Sequence, residues 1–212
     1  MATTRLDLGR GAWIDYDPAW LAPDEADALL AELCAALPWT HRPIVVAGRE
    51  VPQPRLLAWG GALPYRYSGQ TLEPAPLHPT LAALMARAAE ACGVPFNHAM
   101  ANRYRDGRDS IGMHADRERE LGRDPTIAAI SLGARRRFVL ERKRGRRARR
   151  NLRPAHGSLL VMGGSCQHTW YHGLPRDPAC DTERVNVTFR WLLGPPGTVE
   201  WAAPAEGNTL AP

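Results

Sequence analysis

The sequence predicts a mainly β protein with flanking helices, a β-sandwich or jelly roll supported on one face by amino-terminal helices. Three observations lead there. Helical periodicity occurs only in the first ninety or so residues, short β-like runs follow one another after Gly93, and no repeat or linker divides the 212 residues. With 44% hydrophobic and 23% charged residues, the chain has material for a core and is not disordered by composition.

Pro23 and Asp24 precede a stretch in which Leu29, Leu30, Leu33 and Leu37 recur at helical spacing, so a helix is expected from Asp24 to Leu37, ended by Pro38. A second is expected from Pro79 to Cys92, with Leu81, Leu84, Met85 and Ala88 on one face and Gly93 as its stop. Between them, Pro43 to Leu72 is rich in Pro, Gly and aromatics and reads as hairpins or an irregular lid, outside the regular core. The β-like runs are NHAMANRY, TIAAISLG, RRFVLERK, GSLLVMGG and RVNVTFRWL. The chain is thus expected to hold one domain: helices and lid over residues 1–93, a jelly-roll core over 94–193 and an irregular tail over 194–212.

No run of 18 apolar residues occurs, and the segment from Met1 to Arg10 lacks a signal-peptide core, which points to a cytoplasmic monomer without a membrane partner. Cys34, Cys92, Cys166 and Cys180 form no CxxC pair, so free buried thiols are expected in place of a zinc ribbon or disulfide framework. The net charge is +5 and the pI about 9.4. The segment from Arg135 to Arg153 holds eleven cations, among them Arg136, Arg142, Arg144, Arg146, Arg147, Arg149 and Arg150, opposed only by Glu141. Such a block attracts phosphates and releases counterions on binding them; the bland reading is a solvated loop.

His114 and Asp116 form an HxD pair, and on a strand two residues apart share one face. His172 follows 56 positions after Asp116, a distance that a jelly roll can close. Two imidazoles and one carboxylate make a facial triad that leaves three adjacent iron positions open, as a chelating cosubstrate and O₂ require. Zinc accepts the same ligands, and alone this pattern is weak in a chain with seven histidines. Arg184 and Arg190, six apart in RVNVTFR, share one side of a strand whose other side is Val185, Val187 and Phe189. Paired arginines suit the two carboxylates of 2-oxoglutarate. Upstream of HxD, Asn102 and Tyr104 also share a face.

NRYRDGRDSIGMHADRERELG, AHGSLLVMGG, WYHGLP and RVNVTFR, in this order and at these separations, resemble the AlkB family of iron- and 2-oxoglutarate-dependent nucleic-acid dealkylases, over roughly Pro52 to Leu192. The resemblance implies a double-stranded β-helix (jelly roll) with amino-terminal helices and a nucleotide-recognition lid. It implies Fe(II) ligands at His114, Asp116 and His172. It further implies Arg184 on the distal carboxylate of 2-oxoglutarate, Arg190 near its iron-bound end, Asn102 and Tyr104 in contact with it, and Asn186 supporting that site. In the family the flipped base lies between the first iron-ligand histidine and a lid aromatic. PYRYSG resembles the lid segment, with Tyr67 the better match and Tyr65 its competitor, and Glu118 matches the acidic residue that contacts the base.

Other candidates carry less. His168 reads as a local hydrogen-bonding residue, and His156, His98, His78 and His41 as structural or solvated residues at turns or element edges. Cys166 reads as a small apolar filler, and Trp59 and Trp170 as core. The expected activity is O₂-dependent demethylation of bases of the 1-methyladenine and 3-methylcytosine type in single-stranded or duplex DNA, with RNA left open, releasing formaldehyde and succinate. Arg144, Arg146 and Arg147 are expected to contact substrate phosphates. The alternatives are a nucleic-acid-binding jelly roll without turnover, and a 2-oxoglutarate hydroxylase of a protein or small molecule.

Overall fold

The computed structural model describes residues 3–46, 49–67 and 69–194. The tail expected to be irregular lies, from residue 195 on, outside them. In chain order the elements are β1 (Thr4–Gly9), β2 (Ala12–Asp17), α1 (Pro23–Ala36), β3 (Pro43–Val46), β4 (Arg49–Pro52), β5 (Leu56–Gly61), β6 (Tyr65–Tyr67), β7 (Gln70–Leu72) and α2 (Pro79–Cys92). There follow β8 (His98–Tyr104), β9 (Ile111–His114), β10 (Ile127–Gly133), β11 (Phe138–Arg142), β12 (Arg149–Leu152), β13 (Ser158–Gly164), α3 (Cys166–Thr169), β14 (Trp170–Leu174) and β15 (Arg184–Arg190).

Both long helices form where their periodicity and end signals place them. Pro23 starts α1, with Asp24 and Glu25 in the first turn, where the helix dipole favours negative charge. His78 caps α2 by accepting from Thr80 N, and Gly93 ends it at φ +65°, a left-handed conformation that costs glycine nothing. Leu33 of α1 and Leu81, Leu84 and Ala88 of α2 are buried against the larger sheet. Truncating Leu33 to alanine would cost about 2–5 kcal/mol.

That sheet has seven strands, ordered β1-β2-β13-β10-β15-β8-β5, and faces a four-stranded sheet ordered β12-β11-β14-β9. The period of two sorts its residues into two layers. Ala99 and Ala101 of β8, Ala128, Ile130 and Leu132 of β10, Leu159 and Val161 of β13, and Val185, Val187 and Phe189 of β15 meet the helices. Their neighbours Asn102, Tyr104, Ser131, Arg184, Asn186 and Arg190 line the space between the sheets. The central strands are therefore buried on both sides, which explains why β10 reads as continuous small and apolar residues.

The order of helices before strands does not hold. β1 and β2 precede α1 and extend the large sheet through β13, because Leu8, Ala12 and Ile14 have apolar partners in Leu160 and Met162. β5, taken from sequence as part of an irregular lid, pairs with β8 from Leu56 to Gly61 and is core, with Leu57 and Ala58 buried. β3–β4 and β6–β7 are hairpins, as expected for that region. The strands β12 and β14 escaped notice because each is only four or five residues long, and β9 forms at the HxD segment but ends at His114.

Candidate active site

The metal-type cluster is built from the small sheet and the turn after it. β9 and β14 pair antiparallel with His114 opposite His172, so the ladder sets the two rings side by side, 4.3 Å between centroids. Asp116 does not lie on the strand as the HxD reading supposed, because β9 ends at His114. Its chain turns inward instead, and its Oδ1 comes 3.6 Å from His114 Nε2. One ligand-type atom from each of His114, Asp116 and His172 lies within 4.8 Å of the others, the single such cluster among the described residues.

The protonation states suit a cation. Gly112 O can only accept, so His114 Nδ1, 2.9 Å away, carries the proton and Nε2 keeps its lone pair. Burial, reinforced by the neighbouring His114, pushes His172 down to about 3, which keeps it neutral. Burial alone would raise the Asp116 carboxyl; Arg190, His172 and His114 outweigh it and hold it well below the usual carboxylate range. Arg190 binds Asp116 Oδ2 through Nε (3.1 Å) and Nη2 (2.7 Å).

Across the cavity the large sheet presents Arg184, 2% exposed. Its Nη2 donates to Ser131 Oγ (2.9 Å) and Asn186 Oδ1 (3.0 Å), while Nε and Nη1 are buried without a partner among the described residues. Burial lowers its pKa to about 10. A buried guanidinium with two free donors is costly unless an anion completes it, and a carboxylate does so bidentately. The donor set at the triad and the half-satisfied Arg184 thus fit a metal with a dicarboxylate beside it.

One member was missed from sequence. Arg55 is buried before β5, donating from Nε to Asn102 Oδ1 (2.8 Å) and from Nη2 to Tyr67 Oη (2.7 Å). An arginine just before the apolar LLAWGG was the available signal, hidden by reading that segment as lid. Tyr65 and Tyr67 are not on an exposed flap: both side chains are buried and only Arg66 between them faces solvent. Tyr67 lines the cavity with His114, whereas Tyr65 lies against His98 and Arg190 and donates to Glu118 Oε2 (3.2 Å). Burial, then repulsion from Asp116, raises the Glu118 carboxyl. Tyr104 lines the cavity beside Arg184.

The basic block divides. Arg136 is fully buried and donates to the carbonyls of Asp106 and Asp109 in the β8–β9 loop and of Pro175 after β14, so it is a clamp on two loops and not a phosphate ligand. Arg142 donates to Leu8 O, and Arg149, on β12 and not in a loop, pairs with Glu141. Arg144, Arg146 and Arg147 are exposed in the turn between β11 and β12. His168 bonds to Arg123 O and stays out of the cluster. His98 is not solvated but buried, with neither ring nitrogen bonded among the described residues. All four cysteines are free; Cys166 is buried and the others are half-buried. Trp170 is core and Trp59 is half-buried.

A sequence profile of the 2OG-Fe(II) oxygenase superfamily matches residues 14–190. Alpha-ketoglutarate-dependent dioxygenase alkB homolog 3 of Homo sapiens is 38% identical over 193 residues, which cover 87% of this chain and 68% of that protein. The chain belongs to the AlkB family. As an AlkB-family enzyme it is an Fe(II)- and 2-oxoglutarate-dependent dioxygenase, using O₂, and not a binding module without turnover. DNA oxidative demethylase ALKBH2 of Mus musculus is 43% identical over 150 residues, covering 68% of this AlkB chain and 63% of that one. The solved structure of OsALKBH1 covers 89% of this chain, and 100% of its own, at a TM-score of 0.62 and 15% identity, a likeness of fold. No helix among the described residues is long and apolar enough to cross a membrane.

Proposed function

We propose that the protein demethylates N-alkylated bases in DNA by oxidation, 1-methyladenine and 3-methylcytosine types first, releasing formaldehyde and succinate. The observation that carries this reading is one cavity with the His114, Asp116 and His172 cluster at one wall, the half-satisfied Arg184 at another and Tyr67 in the same lining. The substrate class is supported by the similarity to alkB homolog 3 and to DNA oxidative demethylase ALKBH2.

Iron held by His114, Asp116 and His172 would supply, with 2-oxoglutarate and O₂, the oxidising power for a C–H bond. Arg184 would take the distal carboxylate of 2-oxoglutarate on Nε and Nη1, with Ser131 and Asn186 fixing its plane. Arg190 keeps Asp116 ionised and aimed. Asn102 and Tyr104, which line the cavity, would border the cosubstrate, and Arg55 locks Asn102 and Tyr67 together. A base must leave its stack to reach the cavity, and an N-methyl group that already weakens pairing lowers that cost. Tyr67 and His114 would hold the base, Glu118 with Tyr65 would meet its polar edge, and Arg144, Arg146 and Arg147 would take flanking phosphates.

The test is a panel of single-stranded and duplex DNA and RNA oligonucleotides carrying 1-methyladenine or 3-methylcytosine, incubated with enzyme, Fe(II) and 2-oxoglutarate. Products are read by chromatography and formaldehyde release. Loss of the methyl group from DNA supports the reading; 2-oxoglutarate turnover stimulated only by a protein or small molecule overturns it.

A further inference from the structure

Because β9 ends at His114, the backbone N–H of Asp116 has no strand partner, yet Asp116 is 2% exposed. A buried amide in that position needs an acceptor. It finds one in Gln167, 51 residues away, whose Oε1 lies 3.0 Å from Asp116 N. We propose that Gln167 is a positioning residue for the metal centre, holding the Asp116 main chain so that the carboxylate points at the two imidazoles. The inference rests on reading His114, Asp116 and His172 as the metal ligands.

Three features make Gln167 a fixed support. Its side chain is buried, and its amide nitrogen contacts Met162 Sδ at 3.6 Å, which sets the amide so that its oxygen faces Asp116. Its own carbonyl accepts from Lys143 Nζ at 2.7 Å, while Lys143 N donates to Thr169 O. At the start of the same turn, Ser165 bonds through N to Gly11 O and through Oγ to Arg10 O. α3 is therefore pinned to the loop after β11 and to the β1–β2 turn, and it leads directly into β14, which carries His172.

The two anchors on Asp116 do different work. Arg190 holds Oδ2 and sets the charge, but a side chain gripped at its tip can still swing from a loose backbone. Gln167 removes that freedom from the backbone side and ties it to the turn before His172. Loss of such an outer partner commonly weakens metal binding about 10- to 100-fold.

The test is titration of the metal-free full chain with Co(II), followed by absorbance, alongside its melting temperature without metal. Gln167→Met, similar in length but lacking the acceptor, should bind Co(II) about tenfold or more weakly. Gln167→Asn, too short to reach, should do the same, and Gln167→Glu, which keeps an accepting oxygen, should recover most of the affinity. A merely structural glutamine would lower the melting temperature and leave the affinity of the folded protein unchanged. Wild-type affinity in a folded Gln167→Met or Gln167→Asn variant overturns the proposal, as does a Gln167→Glu variant as weak as Gln167→Met. Asp116→Ala separates the two readings, since unchanged Co(II) affinity there means that the ligand assignment itself has failed.

Discussion

His114 and His172 face each other across the β9–β14 ladder with ring centroids 4.3 Å apart. Their spacing is thus set by backbone hydrogen bonds and not by side-chain choice. Two of three ligand positions are organised before any metal arrives, and only Asp116, beyond the strand end, depends on the side chains of Arg190 and Gln167.

Replacing His114, Asp116 or His172 by alanine is accordingly expected to abolish turnover, a larger loss than the about 10- to 100-fold typical of outer partners. His168→Ala should retain activity, since His168 bonds outward to Arg123 O. Turnover of 2-oxoglutarate with purified variants checks both. Full activity in Asp116→Ala would refute the ligand set.

How much of this was legible in sequence follows from which signals are local. The facing of Arg184 and Arg190 into one lumen needed only the period of two, and RVNVTFR displays it. The helices carried their own start and stop residues. β5 and the β1–β2 hairpin were unreadable because their places come from pairing with β8 and β13, contacts far away in sequence. Arg55 was hidden for the same reason: its partners Asn102 and Tyr67 lie 47 and 12 residues away. Arg136 shows the converse error, since an arginine in a basic run looks solvated until three loop carbonyls are found around it.

Arg184→Leu should weaken 2-oxoglutarate while leaving the metal cluster intact. Hydrogen bonds to a charged partner contribute about 1.5–3 kcal/mol, so the apparent KM should rise by roughly 10- to 150-fold. The cosubstrate-free protein should melt no lower than wild type, because the change removes a buried guanidinium with two unpartnered nitrogens. An unchanged 2-oxoglutarate KM would rule out the assignment.

Tyr67→Ala should remove a stacking surface worth about 1–3 kcal/mol per base and raise the KM for oligonucleotide more than that for 2-oxoglutarate. Tyr65→Phe, which loses only the bond to Glu118, should leave stacking intact. If Tyr65→Ala raises the oligonucleotide KM and Tyr67→Ala does not, the two tyrosines exchange roles.

Acid should destabilise the metal-free protein through its buried imidazoles. Burial holds His98 and His172 at about 3, whereas unfolded histidine titrates near 6.5. Between these values the unfolded chain binds protons that the folded chain refuses. Stability therefore rises with pH in this window and is lost as pH falls from about 6.5 toward 3, by up to about 1.4 kcal/mol per pH unit for each group. His98 bonds to nothing among the described residues, so His98→Phe should remove one of the two groups, raise the melting temperature at pH 5 and flatten its pH dependence. Parallel melting curves for the two proteins from pH 7 to pH 4.5 would contradict this.

The β11–β12 turn offers a further separation of binding from chemistry. Arg144, Arg146 and Arg147 are exposed and make no ion pair among the described residues, in contrast to Arg149 on Glu141. The turn also lies close to the site: Lys143, its first residue, donates to Gln167 O, and Gln167 in turn holds Asp116. Arg10 of the β1–β2 turn approaches Gly145 within the same loop, adding a cation from a second element. A base drawn into the cavity would leave its flanking phosphates at this rim, where guanidinium groups neutralise them without reading sequence. Changing Arg144, Arg146 and Arg147 together to serine should weaken oligonucleotide binding most at low salt. The logarithmic salt slope should flatten by about 0.7 per lost contact for single strands and about 0.9 for duplex DNA. Turnover of 2-oxoglutarate without oligonucleotide should be unchanged, because none of the three reaches the cavity. If affinity and salt slope match the wild type, the turn is only a solvated surface, and the phosphate path must be sought along the segment from Arg42 to Arg66, past the exposed Arg66 between the two buried tyrosines.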